Sequence, residues 1–120
     1  MNVGAELRAS GLLVAADAAA AIDDGWQVSD FKEVSAAELR GIYPRRLEHV
    51  RSIPGPHAEQ LSRSTEELVG RLARAQRVEI GFVRGPAEHH FGIFRDPDRA
   101  AVIGVLRLVS QLDVPAERWE

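Results

Sequence analysis

Between Ala5 and Asp24 the small and apolar residues Leu7, Gly11, Val14, Ala18 and Ala21 recur at alternating steps of four and three, which places them on one stripe of a helix. A stripe of small side chains lets a neighbouring element approach closely, and Gly25 supplies the left-handed residue on which helices commonly stop. Ser10-Gly11 weakens the early turns and offers a point at which this segment divides in two. Residues 26–33 follow, with Trp26 and Val28 alternating with polar neighbours, and read as a short edge strand or an extended connection.

Ser35-Ala-Ala-Glu38 has the spacing of a capping box, so a short helix is expected from Ala36 to about Gly41. Pro44 suits the first turn of a second short helix carrying Leu47 and Val50, closed by Ile53-Pro-Gly-Pro56. A longer helix is expected between His57 and Gln76, with Leu61, Leu68 and Leu72 as its apolar positions; a second capping box at Ser64–Glu67 allows it to start there instead.

Residues 78–83 and 89–94 alternate with period two, and Arg84-Gly-Pro-Ala87 between them is turn chemistry, so the two runs predict a β-hairpin. With Val83 opposite Glu88, the residues Val78, Ile80, Phe82, His89, Phe91 and Ile93 share the core face. Asp96-Pro97 reads as a helix cap followed by proline in the first turn, with Asp98 favourable to the helix dipole, and predicts a helix from Pro97 to about Leu112. On a helical wheel Ala101, Val102, Val105, Leu106, Leu108, Val109 and Leu112 fill one arc. The opposite arc holds Arg99, Ala100, Ile103, Gly104, Arg107, Ser110 and Gln111. Ile103, flanked by the small Ala100 and Gly104 and by Arg107, is there the expected contact with a second copy of the chain, or else is covered within the monomer by the small-residue stripe of the N-terminal helix. Trp119 in the closing segment folds back or frays.

Composition narrows the chemistry. At 120 residues, 45% of them hydrophobic and 28% charged, the chain has the make-up of one ordinary globular domain spanning 1–120. The absence of cysteine excludes thiolate catalysis, Cys-based zinc sites and redox pairs. The lack of a long apolar run or signal-peptide pattern points to a cytoplasmic protein that does not engage a membrane. No phosphate-binding loop, dinucleotide fingerprint or metalloprotease motif is present, and no metal or cofactor is implied. The net charge of −3 is unevenly spread: −5 over residues 1–38, +4 over 39–77 and −2 over 78–120.

Three groups of residues carry candidate chemistry. His89 and His90, with Glu88 and Arg84 nearby, have the side chains of a proton relay or metal ligand, although adjacent strand residues point to opposite faces and so do not chelate one ion together. Asp96 and Asp98 are paired carboxylates that a helix start already explains. The segment Arg40–Arg51 sets Arg45 and Arg46 beside Tyr43, a pattern suited to phosphate contact and base stacking, and equally suited to ion pairs with acidic partners. The negative net charge disfavours nucleic acid.

The order of elements predicts an α+β domain, helix-rich, in which a small antiparallel sheet, a hairpin followed by a helix, packs on helices. The function expected is that of a small non-enzymatic protein-interaction module, regulatory, adaptor or inhibitory, forming a homodimer. The alternative is a small enzyme or ligand-binding domain with a pocket between hairpin and helices that uses His89 or His90. A third reading is nucleic-acid binding through Arg40–Arg51.

Overall fold

A computed structural model describes residues 2–108, with the side chain of Glu88 left aside. Helices α1 (Val3–Ala9) and α2 (Ala15–Asp23) lead into two short strands, β1 (Gln27–Val28) and β2 (Lys32–Val34). The long helices α3 (Ala36–Arg51) and α4 (Pro56–Leu72) follow, and then the strands β3 (Val78–Arg84), β4 (His90–Asp96) and β5 (Ala101–Leu108). All pairings are antiparallel; β4 lies between β3 and β5, and β1 and β2 run end to end along the other side of β3. The α+β class expected from the sequence is the one observed.

The N-terminal helical segment divides where Ser10-Gly11 weakens it. The Asn2 side chain caps α1 by accepting from the Ala5 amide at 3.0 Å, and Gly11 takes a φ of 70° that reverses the chain into α2. α2 ends as Gly25 predicts. Gly25, at φ 96°, donates to Ile22 and Trp26 donates to Ala21, a pair of bonds that satisfies two terminal carbonyls. Leu7, Val14, Ala18 and Ala21, four of the five stripe positions, are buried.

Ser35 caps α3 as expected, accepting from the Glu38 amide at 3.1 Å. The two short helices expected on either side of Gly41 form one, with Pro44 inside it. Proline removes one backbone bond, but Ala36, Leu39, Tyr43, Leu47 and Val50 bury one continuous stripe, and that packing carries the helix across the break. α4 starts at Pro56, with proline in its first turn, and runs through Ser64, which is buried in mid-helix. Neighbouring Thr65 donates to the Leu61 carbonyl at 2.7 Å, whereas the buried Ser64 hydroxyl has no hydrogen-bond partner among the described residues, and the second capping box is unused.

Two sequence expectations are corrected at the sheet. Val83 pairs with Phe91 rather than with Glu88, three residues further along, because a 3-10 turn (Pro86–Glu88) in which Ala87 takes a φ of 56° lengthens the connection. The larger correction concerns Pro97–Leu112. Its described part is not a helix: Asp96 does cap the amides of Asp98 and Arg99, at 2.9 and 3.3 Å, but Ala100 then takes a φ of 51° and the chain returns as β5. Val102, Ile103 and Val105 favour a strand, Gly104 weakens a helix, and a strand covered on both faces shows the continuous apolar run that also fits a broad helical arc. The remainder of that predicted helix and the Trp119 segment lie outside the described residues.

Helices cover each face of the sheet over part of its extent. Val78, Ile80, Phe94, Leu106 and Leu108 pack with α3 and α4, while Val83, Phe91, Ile93, Val102 and Val105 pack with α1 and α2. A bulge opposite Phe94 and Arg95 makes Ile103 the extra residue of β5 and turns it, with Gly104, toward the α3–α4 side. A Cβ on Gly104 would lie 2.5 Å from Leu68 of α4, so the glycine is what lets helix and strand close on each other. The two helical layers meet around β5: the Leu13 amide donates to Glu67 at 3.0 Å and Arg71 donates to the Ser10 carbonyl at 3.3 Å. The outer edge of β5 is thereby flanked by helices, a common protection against edge pairing. Among the described residues, no helix is long and apolar enough to cross a membrane.

Candidate functional site

The hairpin brings part of the histidine group together, on a face different from the one expected. Arg84 and His90 are directly opposite each other, and with Phe82 they lie on the side of the sheet that α3 and α4 cover further along. The Arg84 guanidinium sits 5.2 Å from the centre of the Phe82 ring, and the Phe82 and His90 rings meet at 5.9 Å and 63°. The register shift of three residues replaces His89 by His90 beside Phe82. His89 precedes β4, and its backbone closes the turn: its carbonyl accepts from Gly85 at 2.9 Å and its amide donates to Pro86 at 3.2 Å. Glu88 is the last residue of the 3-10 turn. No group of three metal-ligating side chains occurs among the described residues.

The arginines of α3 are drawn largely into the fold. Arg40 donates to the carbonyls of Leu72 and Ala75, at 3.3 and 2.9 Å, and so completes the C-terminal end of α4. Arg46 lies over the Tyr43 ring at 5.6 Å, and Arg51 pairs with Glu66 of α4. Arg45 is exposed. Tyr43, expected as a stacking platform, is instead core: 2% exposed, its ring meets Phe94 edge-on at 5.3 Å and 83°. Burial pushes its hydroxyl well above the ordinary tyrosine pKa, against a smaller opposing pull from Arg46.

The expected dimer surface is dispersed. Ile103 is buried in the cluster shared by α3, α4 and the sheet, Gly104 is pressed against Leu68, and Ala100 belongs to the β4–β5 turn. Arg107 lies over Phe91 at 5.8 Å, on the other side of the sheet. The patch depended on a helical period of 3.6; a strand's period of two scatters the same residues over two faces.

Two features emerge that the sequence reading missed. The first is a polar clip. Arg95, 8% exposed, donates through Nε and Nη2 to both carboxylate oxygens of Glu6, at 2.7 and 3.1 Å, and through Nη1 to Glu79 at 2.6 Å. The bond to Glu6 is the main reason its guanidinium holds its proton more tightly than usual, burial opposing it and Glu79 adding to it. The clip fixes α1 to the sheet. The second is an open groove of about 490 Å3 at the α3–α4 corner, where Val50, Ile53, Pro56 and Ala58 give an apolar lining between Arg51 and Glu59. Both charges are already paired, Arg51 with Glu66 and Glu59 with Arg63 at 2.7 Å. The Ile-Pro-Gly-Pro loop was its only sequence signal, since the groove exists only once two helices are folded against each other.

A smaller notch of about 430 Å3 lies where Ala5, Ala9 and Ser10 face Arg71 and the start of β5 at Ala101 and Val102. Neither cavity is lined by Arg84, His89 or His90. Compared with known proteins, the chain matches no family model, no curated protein and no solved structure.

Proposed function

We propose that the chain is a non-enzymatic protein-interaction domain, regulatory, adaptor or inhibitory in role, that binds a second copy of itself through the groove at the α3–α4 corner. The observation that carries this reading is the make-up of that groove: an open corner in which Ile53 and Pro56 reach the surface above the buried Val50 and Ala58, flanked by charges that already have partners. Such a surface offers a partner apolar contact within a polar rim. The contacts that Arg40 and Arg46 make to α4 and Tyr43, and the ion pair of the exposed Arg51 with Glu66, support a protein partner over nucleic acid, because phosphate binding is strongest with arginines that have no carboxylate or carbonyl partner to give up.

Light scattering on the wild type and on Ile53→Asp tests the proposal, with circular dichroism reporting the fold. The expected result is a wild-type dimer and a folded, monomeric variant. Ser62→Arg, which fills the groove from α4 without placing a charge in the core, is expected to do the same. A wild type that stays monomeric at every concentration, or a dimer untouched by Ser62→Arg, overturns it.

A further inference from the structure

We draw no further inference here: the strongest candidate, the shelf of Phe82, Arg84 and His90 on the sheet face at the β3–β4 hairpin, is a sheet face for which nothing in the structure shows what covers it.

Discussion

The two helical layers cover opposite faces of the same sheet by different means. α3 and α4, of 16 and 17 residues, bury Leu39, Tyr43, Leu47, Val50, Leu61, Leu68 and Leu72. α1 and α2, of 7 and 9 residues, bury Leu7 and four alanines, Ala15, Ala18, Ala19 and Ala21, with Leu12 and Val14 between them. Each buried methylene contributes about 0.8 kcal/mol, so the first layer holds itself by apolar area and the second has much less to draw on. The second layer has instead the Glu6–Arg95–Glu79 clip and the Leu13–Glu67 bond to α4. Alanine permits close approach without great adhesion; the polar contacts fix what the methyl groups only fit. The α1–α2 layer is therefore expected to open first.

The largest effect is expected on the apolar side. Leu68, fully buried against Gly104, loses its side chain in Leu68→Ala, and stability should fall by about 3 kcal/mol. Urea unfolding with an unchanged m-value measures this. A loss under 1 kcal/mol means that α4 is not the main support of the sheet.

On the polar side, Glu6→Gln leaves the nearly buried Arg95 with one carboxylate instead of two, and should cost about 2 kcal/mol. The two layers separate here. Hydrogen exchange should accelerate in α1 and α2 while the amides of α3 and α4 keep their protection; uniform acceleration means the clip supports the whole fold rather than one layer.

A third test uses Tyr43, the only tyrosine of the chain. Its hydroxyl is raised by burial in the folded state, while in the unfolded chain it ionises near pH 10. The stability linked to it is full below that pH and is lost as the pH rises beyond it, because the unfolded chain then gives up a proton that the folded one keeps. Phenolate absorbance should accordingly appear together with unfolding, and Tyr43→Phe should flatten the alkaline decline. Phenolate formation in a protein whose circular dichroism is unchanged would place the ring at the surface.

The smallest effect belongs to the exposed pairs. Arg51→Ala removes the bond to Glu66, both side chains more than half exposed, and thermal unfolding should register about 0.5 kcal/mol or less.

Local chemistry made much of this fold legible in the sequence. The Ser35 cap, the Gly25 stop and the alternation of 78–83 and 89–94 each act within a few residues; the cap and the stop are found where the pattern placed them, and the alternation gave the two strands but not their register. β5 was misread because Asp96-Pro97-Asp98 performs the same amide capping in a turn as at a helix start, and because only Ala100 at positive φ, which nothing in an alanine announces, sends the chain back as a strand. Ala87 hides the hairpin register in the same way. Of the candidate residues, Arg84 and His90 come together, whereas the clip joins Glu6 to Arg95 across 89 positions and lies beyond any local pattern.

Native-state hydrogen exchange on the wild-type protein, followed amide by amide as denaturant is raised, tests the inequality of the two layers most directly. The account predicts that the amides of α1 and α2 share one opening free energy, lower than that of α3, α4 and the central strands. A single opening free energy for all four helices, equal to that of global unfolding, would contradict it.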